Sequence, residues 1–189
     1  IVGITGSVGK STTAAMAAAI LATARRTHLG GNIGRSLLTD LADGSIGPRD
    51  VVVLELSSFQ LEWTPVVGLS PSVALVTNLV PNHLDRHGTL EAYGAAKKNI
   101  FRYQAPEDAL LLPAADATLA PWADEAPGRV RLFGGDEPFA LRVPGPHNQR
   151  NAQAAWAIGK LLGIGRADAE RALAAFEGLP NRLALVAER

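Results

Sequence analysis

The sequence predicts an α/β fold, a mostly parallel sheet flanked by helices on both faces, and three observations carry that expectation. Val51-Val52-Val53-Leu54-Glu55-Leu56 and Val73–Thr77 are near-continuous apolar runs, the pattern of strands covered on both faces. Segments of strand length alternate along the chain with segments of helical periodicity. The first switch, from Ile1–Thr5 into an alanine-rich run beginning at Ala14, passes through a turn built on Gly6 and Gly9.

Taken in order, Ile1–Thr5 is the first strand and Ser11–Arg25 the first helix. Gly30-Gly31-Asn32-Ile33-Gly34 reads as a loop and Ser36–Ala42 as a short helix. Val51–Leu56 and Val73–Thr77 are strands. Thr89 caps a helix running to about Tyr103, with Glu91 favourably placed in its first turn. Ala109–Leu112 is a short strand, followed by a poorly patterned stretch rich in Pro, Ala and Asp. Leu132–Val143, which contains Gly134-Gly135, reads as a hairpin or an edge strand. His147–Leu162 and Asp168–Phe176 are helices closed by Gly163 and Gly178, and Arg182–Arg189 is a strand leading outwards.

Composition narrows the function classes. The 189 residues suit one domain or one and a half, and 47% apolar content gives an ordinary core. Lys+Arg and Asp+Glu both number 18, so no net field recruits nucleic acid or an anionic membrane. With no cysteine there is neither a disulfide framework nor a thiolate metal site. The run Ala14–Ala24 is too short to span a bilayer, and no signal peptide is visible, so the cytoplasm is the expected compartment. The chain begins inside a strand without Met, and we expect it to be a piece of a longer protein.

The first turn carries the most chemistry. Gly3-Ile4-Thr5-Gly6-Ser7-Val8-Gly9-Lys10-Ser11-Thr12-Thr13 is strand, glycine loop and helix. Glycines let backbone N–H groups turn towards phosphate oxygens, and the helix behind adds its positive dipole end. Lys10 would reach the outer phosphates and the Ser11 hydroxyl a Mg²⁺ ion. The usual P-loop spelling wants glycine where Ile4 stands, so Gly6-x-x-Gly9-Lys10-Ser11 is a shortened variant. This makes the expected fold a P-loop-type mononucleotide-binding domain; the bland alternative is a strand-to-helix turn with an incidental lysine.

Further candidates fall near strand ends. Glu55 lies near the C-terminal end of an apolar strand, where open α/β sheets bind ligands, and suits a second Mg²⁺ anchor. Ser57 and Ser58 either contact substrate or cap a turn. His83, in Asn82-His83-Leu84-Asp85-Arg86-His87, is a metal or substrate ligand or a solvated loop residue, and Asp85 and Arg86 read as an ion pair. Leu90, Tyr93, Lys97, Ile100 and Phe101 recur at helical spacing, so Lys97 shares the buried stripe and Lys98 points out. A buried Lys97 amine would be partly neutral and open to carbamylation by CO₂; alternatively its stem is buried and its head snorkels to water. Asn148 and Asn151 open a helix, where one could be the N-cap and the pair could read an adenine edge.

Together, Gly6-Ser7-Val8-Gly9-Lys10-Ser11-Thr12-Thr13, Gly30-Gly31-Asn32-Ile33-Gly34, Leu54-Glu55-Leu56-Ser57-Ser58-Phe59-Gln60-Leu61-Glu62, Asn82-His83-Leu84-Asp85-Arg86, Ala95-Ala96-Lys97 and Gly145-Pro146-His147-Asn148-Gln149-Arg150-Asn151-Ala152 resemble the central ATPase domain of the Mur ligases, over nearly the whole chain. The resemblance implies residues 1–182 as that domain and 183–189 as an exit towards a C-terminal domain, with the N-terminal UDP-binding domain outside this chain. It implies ATP and Mg²⁺ as cofactors. Gly6, Ser7, Gly9, Lys10, Ser11 and Thr12 would hold phosphates, Asn148, Asn151 and Arg182 the nucleotide, and Ser11 and Glu55 the Mg²⁺. His83 and a carbamylated Lys97 would support a second Mg²⁺, and Asn32, Ser57 and His83 would face the acyl substrate. Lys10, Glu55, His83 and Lys97 are the implied catalytic set. The Glu55–Glu62 stretch is most similar to the D-glutamate-adding branch. The implied activity is ATP-dependent amide-bond formation in peptidoglycan precursor synthesis, joining UDP-N-acetylmuramoyl-L-alanine and D-glutamate through an acyl phosphate. A monomer is expected, and the isolated piece should not ligate. Departures are Val8 and Asn82, where the family often has Asn and Asp, and a short segment between Phe133 and Gly145. The rival expectations are another ligase of the superfamily such as a folylpolyglutamate synthase, a non-ligase P-loop module, and a nucleotide-free scaffold.

Overall fold

In a computed structural model of the chain, which describes residues 1–34 and 36–179, fifteen elements follow in the order β1 Val2–Thr5, α1 Lys10–Leu21, β2 Thr27–Gly31, α2 Leu38–Ala42, β3 Val51–Glu55, α3 Ser58–Leu61, α4 Thr64–Val67, β4 Val73–Val76, α5 Leu84–His87, α6 Leu90–Lys98, β5 Ala109–Pro113, α7 Trp122–Glu125, β6 Arg129–Phe133, α8 Pro146–Leu161 and α9 Arg166–Ala174. Among the described residues the strands form one six-stranded sheet in the order β2-β3-β1-β4-β5-β6. Every recorded pairing is parallel. Arg182 and the expected tail strand lie outside the described residues.

The continuous apolar runs do what such runs require. In β4, Val73 and Leu75 join one apolar cluster while Ala74 and Val76 join another on the opposite face. In β5, Leu111 faces the first cluster and Leu110 and Leu112 the second. The first cluster is closed by α1, α8 and α9 through Met16, Ile20, Trp156, Ile158 and Leu173; the second by α3, α6 and α7 through Leu61, Tyr93 and Trp122. Helix α1 is alanine-rich because it lies between the sheet and α8. A Cβ on Gly159 of α8 would stand 2.7 Å from Ile20 Cγ2, so the two helices touch almost backbone to side chain.

Three expectations on the elements are corrected. Thr27–Gly31, whose last two residues read as loop, is the edge strand β2. It lacks an apolar run because one neighbour, β3, supplies its ladder and only one of its residues is buried. The second edge strand, β6, ends at Phe133, and 134–143 forms no hairpin. Gly134 and Gly135, with φ of +101° and +84°, turn the chain away. Side chains of α8 then hold it: Gln149 bonds the Phe139 N–H and C=O at 3.0 and 2.6 Å, and Gln153 the Gly135 N–H at 3.1 Å. The one-turn helices α3, α4, α5 and α7 are too short for any periodic signal. Helix α1 ends at Leu21 and α6 at Lys98, short of the expected Arg25 and Tyr103.

Candidate functional site

Parallel pairing sends the C-terminal end of every strand to one edge of the sheet. From β1 the chain crosses to β2 on one side, and from β3 it crosses back past β1 to β4 on the other. Connections leaving in opposite directions open a crevice outside the carboxyl ends around β1. The glycine loop after β1 therefore meets Glu55 at the end of β3 and the segment after β4 that includes His83. The glycine loop, Glu55 and the segment with His83 thus lie along one edge of the sheet.

The loop is locked by the exit of β4. Gly6 has φ +142°, and a Cβ there would sit 2.0 Å from Thr77 Oγ1. Thr77 Oγ1 and Asn78 Nδ2 donate to Val8 O at 2.7 and 2.9 Å, and the Val8 and Ser7 N–H groups donate to Asn78 Oδ1 and O. Ser7 Oγ donates to Val80 O and accepts from its N–H. The amides of Ser7 and Val8 are thus engaged within the protein. The N–H groups that remain for an anion are those opening α1, which starts at Gly9 (φ +83°) without a side-chain cap. Lys10 Nζ donates back to Ser7 O at 3.1 Å, and Ser11 is buried at the first turn. The side chain of Val8 is exposed.

Glu55 is only 2% exposed. Its Oε1 accepts from Asn32 Nδ2 at 3.1 Å, and its Oε2 has no hydrogen-bond partner. A buried carboxylate oxygen without a partner is costly unless a cation or donor completes it. Asn32 is placed by its own N–H on Glu55 O at 2.8 Å. The preceding Gly31 is required, because at φ +95° a Cβ would meet that same carbonyl oxygen at 2.2 Å. The unpartnered Glu55 oxygen and the Ser11 hydroxyl are hard oxygens of the kind that Mg²⁺ takes, and they would be its protein ligands. No group of three or more His, Cys, Asp or Glu forms a ready-made cage among the described residues.

Lys97 is 1% exposed, which rules out snorkelling. Its Nζ donates to Gly6 O at 2.8 Å, lies 3.4 Å from Thr5 Oγ1, and sits 4.4 Å over the Tyr93 ring. Desolvation first, and the Lys10 charge second, bring its pKa from 10.5 down to about 7. Burial raises the pKa of Tyr93. The Tyr93 ring also stands 6.2 Å from the His83 ring, so it links the two residues. His83 itself is solvent-exposed, stacks obliquely on Phe59 at 5.1 Å and holds a left-handed backbone, φ +52°.

Other assignments change. Ser57 is the N-cap of α3 in a reciprocal capping box with Gln60. Arg86 pairs with Glu62 at 3.1 Å, not with Asp85, because α5 packs beside the end of α3. Neither Asn148 nor Asn151 caps α8; Gly145 occupies that position at φ +103° with Pro146 behind it. Asn148 Nδ2 donates to Pro144 O at 2.9 Å, and Asn151 Oδ1 accepts from Thr13 Oγ1 at 3.4 Å while packing on Gly9. Both line a cleft of 1130 Å³ that starts at Val8, Gly9 and Thr12 and runs past Phe133 and Gly134 to Leu179, large enough for a nucleoside beyond the phosphate loop. Lys10, Glu55, His83 and Lys97 lie outside its lining. Thr77 and Asn78 were not singled out from the sequence, and no site role was read for Tyr93 or His87; the position of Thr77-Asn78 directly after a strand beside the glycine loop is the signal that would have found the first two.

Residues 4–139 match the family described as the Mur ligase middle domain. The UDP-N-acetylmuramoylalanine–D-glutamate ligase of Symbiobacterium thermophilum is 41% identical over 212 residues, covering 97% of this chain and 46% of that protein. The chain thus spans about half the length of such a relative. MurF from Acinetobacter baumannii shares the fold with a TM-score of 0.78 at 24% identity, covering 96% of this chain and 47% of that one. MurF from Thermotoga maritima, solved in complex with ADP, gives 0.73 at 19% identity, covering 95% and 48%.

Proposed function

The chain belongs to the Mur ligase family as a middle domain, and on that premise we propose that it is the ATP-binding part of a ligase that adds D-glutamate to UDP-N-acetylmuramoyl-L-alanine. The reaction is ATP-dependent amide-bond formation through an acyl phosphate, in the cytoplasmic synthesis of peptidoglycan precursors, by a monomer. Residues 1–182 are its ATPase domain and 183–189 lead to the domain that brings the amine. The observation that carries the reading is the Glu55 carboxylate, buried with one oxygen unpartnered, on the rim shared with the glycine loop and Lys97.

In this reading the N–H groups opening α1 and the Lys10 ammonium bind the phosphates, with Gly6, Ser7 and Gly9 shaping the loop and Thr12 beside it. Ser11 Oγ and Glu55 would hold Mg²⁺, which would supply charge neutralisation at the phosphates. Asn32 aims the Glu55 carboxylate by donating to its Oε1 at 3.1 Å. Asn148, Asn151 and Arg182 hold the nucleoside side. Asn32, Ser57 and His83 face the acyl substrate and orient its carboxylate for in-line attack. The Lys97 amine, partly neutral near pH 7, attacks CO₂ and loses a proton to become a carbamate, which with His83 would offer ligands to a second Mg²⁺.

The test is ADP release by the full-length protein. UDP-N-acetylmuramoyl-L-alanine with D-glutamate should stimulate it at least about tenfold, ~1.4 kcal/mol, over other amino acids or a folate. Stimulation by a folate, or nucleotide turnover indifferent to any carboxylate, would overturn the proposal. This 189-residue piece should bind Mg-ATP without ligating.

A further inference from the structure

Helix α5 is a single turn on the surface, with Leu84, Asp85 and Arg86 exposed, yet the side chain of its last residue, His87, is only 2% exposed. A turn this short cannot sustain itself. What fixes it is the His87 ring. Nδ1 lies 3.3 Å from Glu62 Oε1, and Nε2 lies 3.0 Å from Ser58 Oγ. The ring stacks parallel on Phe59 at 5.6 Å and leans on Tyr93 at 5.1 Å. A carboxylate only accepts, so Nδ1 donates its proton to Glu62, while Nε2 shares a hydrogen bond with the Ser58 hydroxyl. Glu62 gives its other oxygen to Arg86 at 3.1 Å, a second stitch between the same segments.

Both anchors lie on α3 or at its C-cap, directly after Glu55 and Ser57. The other end of α5 is His83, whose carbonyl accepts the N–H groups of Arg86 and His87, and whose left-handed backbone persists only where the surroundings impose it. The glycine loop, by contrast, is pinned by Thr77, Asn78 and Val80 without help from α5. We propose that His87 is a positioning residue: through the Ser58–His87–Glu62 chain it docks α5 onto α3 and so sets where His83 and Phe59 stand at the acyl end of the site, leaving the phosphate end untouched. The consequence for turnover rests on the ligase reading; the placement of His83 does not.

The experiment uses the full-length protein with histidine-selective labelling and two readouts. His87→Phe keeps a stacked ring and removes both hydrogen bonds; His87→Gln keeps a donor and an acceptor without the ring. In His87→Phe, kcat/KM for the acyl substrate should fall about ten- to a hundredfold while KM for ATP stays within about twofold. His87→Gln should recover part of the loss. Independently of any reaction, the His83 ring resonance, displaced by Phe59, should move or broaden in His87→Phe. Glu62→Ala should shift it in the same direction, and should add nothing in the His87→Phe background. If His87→Phe fails to fold, Glu62→Ala and His87→Gln carry the resonance measurement. A ligase assay that is silent with a His83 resonance that moves supports the positioning role alone. An unmoved His83 resonance in the variants, or a loss in KM for ATP equal to that for the acyl substrate, overturns it.

Discussion

Replacing Lys97 with Met tests the electrostatics of the site through stability. The amine is held under Gly6 O and over the Tyr93 ring, away from water. Its pKa of about 7, against the ordinary 10.5, corresponds to a penalty of about 5 kcal/mol on the charged form in the folded chain. Between those two values the unfolded chain binds more protons than the folded one, so stability rises with pH. The penalty is complete below pH 7 and is relieved as pH climbs towards 10.5. Tyr93, raised by burial, acts in the opposite sense only above its ordinary 10.0, which sets the upper end of the usable window. Guanidinium unfolding in CO₂-free buffer at about pH 7.5 and about pH 9.5 should show the wild type gaining about 2 kcal/mol relative to Lys97→Met. The methionine variant fills similar volume and has no charge to relieve. Parallel profiles for the two proteins would refute the burial argument, and with it the reason the amine is available to CO₂.

Two further outcomes follow from the same geometry. Glu55→Gln should leave the unfolding midpoint nearly unchanged, since Asn32 can still donate to Oε1, but should abolish the Mg²⁺-dependent part of ATP affinity, about tenfold or more by calorimetry with and without Mg²⁺. Gly31→Ala drives a Cβ onto the Glu55 carbonyl and should cost about 3 kcal/mol in denaturant unfolding, with the same Mg²⁺ defect as Glu55→Gln.

The site was legible where chemistry follows chain order. A glycine loop between strand and helix, and an acid closing an apolar strand, declare themselves because parallel sheets deliver successive strand ends to one edge. The locking of the loop was not legible: Thr77 and Asn78 are ordinary polar residues until β4 is known to pair beside β1. Asn148 and Asn151 look like caps by type and position, yet Gly145-Pro146 fixes the start of α8 and leaves the amides facing the cleft. Asp85 and Arg86 adjoin in sequence, but one turn of helix points Arg86 at Glu62.

By itself the sequence determined the layered α/β class, the phosphate loop and the acid of β3, because apolar runs and glycine spacing are local statements about burial and backbone freedom. Only the tertiary structure decided that the Lys97 head is buried rather than snorkelling, that Glu55 keeps one oxygen unpartnered, and that His87 ties α5 to α3. Those outcomes depend on which side chains from distant segments exclude water from a given atom, and no one segment of the chain holds that information.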